Sequence, residues 1–269
     1  MGSGCSSLFI RLWVLYENSA PLSKFRRIPQ PTLHIRQTPY AVCFRSMLVL
    51  RCDVMAPRSK LTWPPLAKQQ ADLFAKSTEE LAREAKNCRN CPLWKNATQT
   101  VFGAGSPKAR IIFVGEQPGK DEDLSGKPFV GPAGRLLDAS LVEAGIDRSK
   151  VYITNVVKHF KWEPRGKRRI HKKPSASEIA ACRPWLDVEI SSIAPAVVVC
   201  LGATAAQALL GKTFRVTARR GEFIRSTLAP YLMATVHPSS ILRAPDEETR
   251  HSEEQKFIAD LKLIKKLKI

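Results

Sequence analysis

Residues 109–119, "ARIIFVGEQPG", decide the fold. The apolar run Ile111–Val114 reads as a buried strand, and it turns at Gly115 into a loop marked by glycine and proline. Reading outward, "AGRLLDASLVEAGI" (133–146) is an amphipathic helix and "KVYITNVVK" (150–158) a second strand. "SASEIAACRPWLDVEISSI" (175–193) opens on Ser175, three residues before Glu178, a capping-box signature; Pro184 is expected to kink this helix or split it in two. "PAVVVCLG" (195–202) is a third strand, and "ATAAQALLG" (203–211) a short helix closed by Gly211. "YLMATVHPSS" (231–240) is a fourth strand, and "EEQKFIADLKLIKKLK" (253–268) a last amphipathic helix. Upstream, "ADLFAKSTEELAREAKNC" (71–88) has helical spacing and ends near Cys88. Alternating strands and helices imply a three-layer α/β/α domain over 61–269, around a mainly parallel sheet of about four strands. Ligands of such sheets lie beyond the carboxyl ends of the strands. That directs attention to the loops starting at Gly115, Asn155, Gly202 and His237.

The first 60 residues read differently. Glu17 and Asp53 are their only acids, and "RRIPQPTLHIRQTPY" has neither helical nor strand period. The start "MGSGCS" fits the myristoylation pattern only formally, and an arginine-rich, acid-poor leader also fits a transit peptide. The favoured reading is an irregular basic extension, disordered or translated upstream of a true start at Met55.

The 269 residues carry a net charge of +19, and 44% are hydrophobic, enough for a core. No apolar run reaches the roughly 18 residues that span a bilayer, so no membrane partner is expected. An excess of this size favours a polyanion, nucleic acid foremost. Cys88, Cys91, Cys182 and Cys200 fall in the domain. Four thiolates complement a [4Fe–4S] cluster or a tetrahedral zinc, and the single C-x-x-C with a dispersed second pair suits the cubane better. Cys182 and Cys200 also read as ordinary buried core cysteines.

"GEQPGKDEDLSGKPFVGPAG" (115–134) fails as a Walker A loop, because Gly115 and Gly119 are one residue too close. It offers instead Glu116 beside Gln117, then the aromatic Phe129, then a helix start. A carboxylate, an amide and an aromatic plate are what an extruded base needs. Further on, "GKRRIHKKPS" (166–175) sets His171 among Lys167, Arg168, Arg169, Lys172 and Lys173 with no acid inside the run. By itself such a run reads as a solvated face with an incidental histidine.

From Cys88 onward the chain resembles the uracil-DNA glycosylase superfamily, near its iron–sulfur family 4. The four cysteines, "GEQPG", "KPFVGPAG", "TNVVK" and "HPSSILR" match that family's pattern in order. "GEQPG" followed by "KRRIH" resembles the UdgX group, which excises uracil and stays joined to the DNA through the loop histidine. The resemblance implies that Phe129 stacks on the base, Asn155 reads its edge, Gln117 contacts the base or its loop, and His237 stabilises the departing uracil anion. It implies that Glu116 offsets sugar charge and that His171 is the covalent nucleophile, kept neutral by the cations around it. Lys167, Arg168, Arg169, Ser239 and Arg243 would contact DNA. A [4Fe–4S] cluster on the four cysteines is the implied cofactor, with structural zinc the alternative. The implied partner is uracil-containing DNA, single-stranded as well as duplex, met by a monomer in a bacterial cytosol or nucleoid. A hydrolytic glycosylase that turns over, and a non-catalytic metal-containing nucleic-acid-binding module, are the alternatives.

Overall fold

The computed structural model describes residues 76–267. The expected extension over 1–60 and the start of the expected domain, 61–75, lie outside the described residues. In chain order the elements are α1 (Thr78–Ala85), β1 (Ala104–Gly105), β2 (Ile111–Gly115), α2 (Lys120–Ser125), α3 (Pro132–Glu143), β3 (Val151–Asn155), β4 (Trp162–Arg165) and β5 (Arg168–His171). There follow α4 (Ala176–Ile193), β6 (Val197–Leu201), α5 (Ala203–Leu210), α6 (Val216–Arg219), β7 (Phe223–Ile224), β8 (Tyr231–Thr235), α7 (Pro238–Ile241) and α8 (Glu247–Lys265).

The sheet order is β1-β3-β2-β6-β8-β7. The four central strands are parallel, as the alternation of strands and helices requires; the two-residue edges β1 and β7 run antiparallel and were too short to show in sequence. Each central strand is apolar because successive side chains enter opposite layers. Ile112, Val114, Val198 and Cys200 pack into one layer with Leu81 of α1 and Leu186 of α4. Phe113, Val197, Val199 and Leu201 pack into the other with Leu137 of α3 and Phe257 and Leu261 of α8. This is the expected three-layer α/β/α arrangement. Among the described residues no helix is long and apolar enough to cross a membrane.

Two helices carry reciprocal caps, that of α4 as its sequence announces. Ser77 and Glu80 cap α1, and Ser175 and Glu178 cap α4. Pro184 neither splits nor ends α4, which runs unbroken through it. One expectation is revised outright. The stretch around His171, read as a basic loop, is a β-hairpin, β4 paired antiparallel with β5, with Trp162 opposite His171. Gly166 at its turn has φ 57°, a conformation glycine adopts without cost.

Candidate active site

The carboxyl ends of β2, β3, β6 and β8 open into one cleft of about 970 Å³. All four loops singled out in the sequence contribute to it: Glu116 and Gln117 after β2, Asn155 at the end of β3, Thr204 at the start of α5, and His237 before α7. Phe129, His171 and Arg243 complete the wall.

Phe129 stands in the left-handed region at φ 56°, an unusual place for an aromatic residue. The strain is held because the chain turns back on itself there: a side chain at Gly134 would collide with the Phe129 carbonyl. Its ring lies 5.8 Å from that of His237, tilted by 34°. At Gly115 an added Cβ would meet the same ring at 2.7 Å and run into the Asn155 amide, so glycine here leaves both side chains their places. Asn155 is buried, and its Oδ1 has no partner among the described residues. A buried orphan acceptor costs free energy that a ligand can recover.

His237 accepts at Nδ1 from the Ser239 backbone N–H at 3.1 Å, so the Ser239 hydroxyl, 2.8 Å away, also donates to Nδ1. The remaining ring proton is on Nε2. Burial, reinforced by Arg243 and His171, lowers the His237 pKa to about 4, so the ring is a neutral donor at pH 7.

His171 follows a similar logic with the opposite polarity. The Gln117 amide is oriented by the Lys161 N–H, which donates to its Oε1 at 3.1 Å. Its Nε2 is therefore the donor, with two protons shared among three acceptors: the carbonyls of Lys161 and Lys172 and, at 2.8 Å, His171 Nε2. The His171 proton is thus on Nδ1, and Nε2 carries the lone pair, 3.7 Å from Glu116 Oε1. Half of the His171 side chain stays exposed. Burial lowers its pKa; Glu116 pulls the other way, and Arg243 adds a smaller lowering.

That corrects the expectation that neighbouring cations keep His171 neutral. Lys167 and Arg168 lie exposed in the hairpin, and Lys172 pairs with Glu163 at 2.9 Å. Arg169 turns inward to the fully buried Asp123 at 2.7 Å and lies over the rings of Phe160 and Trp162. The cation that acts on His171 comes from a different element, after α7.

Three contributors went unnoticed in the sequence. Thr204 donates its hydroxyl to Glu116 Oε2, leaving Oε1 toward His171; its place two residues after Gly202 was the available signal. Asp123 anchors the hairpin. Glu122 ties the two halves of its loop by accepting from the N–H groups of Gly119, at 2.9 Å, and Gly131, at 2.7 Å.

The cysteines form a separate region, and none of them lines the cleft. Cys182 and Cys200 belong to the α4 side of the core, with Cys88 and Cys91 packed against it. Cys182 feels both Cys88 and Cys91 electrostatically, whereas only burial acts on Cys200. Among the described residues no three potential ligands are grouped tightly enough to hold a metal ion, so the expected close convergence of four sulfurs is not present. The donor set still suits a thiolate-ligated group. All four thiols are free, on one side of the sheet, and two already accept hydrogen bonds, Cys182 from the Lys158 N–H at 3.2 Å and Cys88 from the Trp185 indole at 3.3 Å.

This cleft at the carboxyl edge of a parallel sheet, with an aromatic wall, an unpartnered amide oxygen and neutral imidazoles of opposite polarity, has the shape and polarity to suit a planar polar heterocycle. Residues 102–262 match the uracil DNA glycosylase superfamily, and the chain belongs to it. It is 38% identical to the type-4 uracil-DNA glycosylase of Archaeoglobus fulgidus over 192 residues, 69% of this chain and 93% of that protein. It is 43% identical to the type-4 enzyme of Thermotoga maritima over 173 residues, 64% of this chain and 86% of that one. A type-5 uracil-DNA glycosylase of Thermus thermophilus is 32% identical over 147 residues, 49% of this chain and 62% of its own.

Proposed function

We propose that this protein is a DNA repair glycosylase that excises uracil from DNA and then captures the exposed sugar through His171. Family membership and the type-4 relatives support excision. The observation that carries the capture is the His171 ring on the wall of the cleft, with its Nε2 3.7 Å from the Glu116 carboxylate.

In this reading the extruded base lies on Phe129, and the Asn155 amide, orphaned in the protein, pairs with its edge. As the N–C1′ bond breaks, its electron pair leaves with uracil, and the His237 Nε2–H donates to the carbonyl oxygen where the charge collects. Glu116 offsets the cationic sugar. His171 Nε2 gives its lone pair to C1′, forming an N–C bond, and the resulting imidazolium releases its Nδ1 proton to solvent, from which the departed uracil anion takes one up. Gln117 holds the ring in register. Arg243, Lys167 and Arg168 contact phosphates, while Arg169 holds the hairpin in place. Cys88, Cys91, Cys182 and Cys200 would hold a [4Fe–4S] cluster, or zinc, which would tie α4 and β6 to the Cys88 turn without entering the reaction.

The hydrolytic alternative draws on one observation: Gln117 already occupies the His171 lone pair, and that bond must yield before attack. A denaturing gel with uracil-containing single-stranded DNA separates the readings. A protein–DNA band that survives heat and detergent supports capture; free abasic strand alone supports turnover; intact uracil DNA overturns both.

A further inference from the structure

Beneath the cleft lies a charged pair that the chemistry above does not use. Lys158 and Glu189 are both fully buried and directly bonded. The Lys158 ammonium also donates to Thr154 Oγ1 at 2.6 Å and to the Asn155 carbonyl at 2.8 Å, which occupies all three of its protons. Glu189 accepts in addition from the Tyr152 hydroxyl at 2.9 Å, the Thr154 hydroxyl at 3.0 Å and the Gly103 N–H at 3.0 Å. The backbone of Lys158 is itself fixed, its N–H on Cys182 Sγ and its carbonyl accepting from the Val101 N–H at 2.8 Å.

A buried ion pair contributes little net stability relative to well-packed apolar residues of the same size. Its use here is geometric. A side chain that must offer its polar atoms to a ligand cannot be steadied by hydrogen bonds on those atoms. Asn155 is in that position, with its Oδ1 unpartnered in a buried setting. Its aim has to be set through the main chain, and the main-chain carbonyl of Asn155 is what Lys158 grips. The following residues are held too, with the Val156 and Val157 N–H groups on the carbonyls of Gly115 and Glu116. We infer that Lys158 and Glu189 are positioning residues that orient Asn155 toward the base. The inference rests on Asn155 being the group that reads uracil.

The test is a mutant cycle in the full-length protein, read by single-turnover uracil release from a labelled single-stranded oligonucleotide. The paired variant Lys158→Met/Glu189→Gln removes both charges together and keeps an acceptor for Tyr152 and Gly103. Its rate constant should fall about 10²-fold, the scale of an ångström's misplacement of a reacting partner. The fraction of active protein should not change. In an Asn155→Ala background the paired change should cost nothing more, so the combined variant is no slower than Asn155→Ala alone, because the pair acts through that side chain. A folded paired variant with the parental rate constant overturns the inference. So do losses that multiply, since they would mean the pair acts other than through Asn155. If Asn155→Ala alone leaves the rate unchanged, the assignment of Asn155 fails and takes the inference with it. Should the paired variant not fold, Tyr152→Phe, which takes one donor from Glu189 and leaves both charges paired, supports the same cycle.

Discussion

Replacing His171 by serine separates capture from hydrolysis. The ring is half exposed, so the space it vacates is continuous with solvent, and water can reach the sugar beside Glu116. The cost to the fold is small. Gln117 loses one partner but keeps the Lys161 N–H and the carbonyls of Lys161 and Lys172, so about 1 kcal/mol of stability should be lost. The effect on product should be large. A tethered nucleophile in good register acts with an effective molarity of at least about 10⁵ M against about 55 M for water, a preference of roughly 10³-fold for the adduct. His171→Ser removes that preference, while Glu116, Asn155 and His237, which favour bond cleavage, remain. Uracil release should persist within about tenfold, and the product should change from adduct to abasic strand. A denaturing gel run with and without alkali reads both. In the parent protein, adduct formation should be independent of pH above neutrality. It should fall as the pH drops through a His171 pKa that lies below the ordinary histidine value, because only the neutral ring attacks. A His171→Ser protein that still forms a denaturation-resistant adduct would refute the reasoning.

Asn155→Asp should relax the preference for uracil over cytosine, since a carboxylate accepts from the cytosine amino group; matched excision assays on the two bases check it. Reversing charge at Arg168 should weaken DNA binding on every sequence and flatten its salt dependence, while Arg169→Glu should instead lower the melting temperature, by placing a carboxylate against the buried Asp123. His237 has a folded pKa of about 4 against about 6.5 unfolded, so the unfolded chain binds more protons between those values. Stability from this ring is complete above pH 6.5 and is lost as the pH falls toward 4, by up to about 3 kcal/mol; urea midpoints across that range should show the slope, and His237→Gln should reduce it.

The architecture was legible because its signals are local. Four apolar runs separated by amphipathic helices require a covered parallel sheet whichever partners the strands choose, and the ends of those runs name the loops that meet. Glu116, Asn155 and His237 could therefore be picked out from their places at or after strand ends, and Phe129 as the aromatic in a loop of glycine and proline, and the fold brings them to one cleft. Polarity was not legible. Whether an imidazole offers a proton or a lone pair depends on what its other nitrogen or its neighbours hold. Those partners are Ser239 for His237 and, for His171, Gln117, which lies 54 residues away in sequence. Charge proximity misled for the same reason. Arg169 is two residues from His171 in sequence but is bound to Asp123, while Arg243, more than seventy residues on, is the cation that acts on the ring. The layers and the candidate residues could be read along the chain, because burial patterns repeat there. Which groups donate, which accept and which are held back depends on the folded arrangement, because a hydrogen bond forms between neighbours in space.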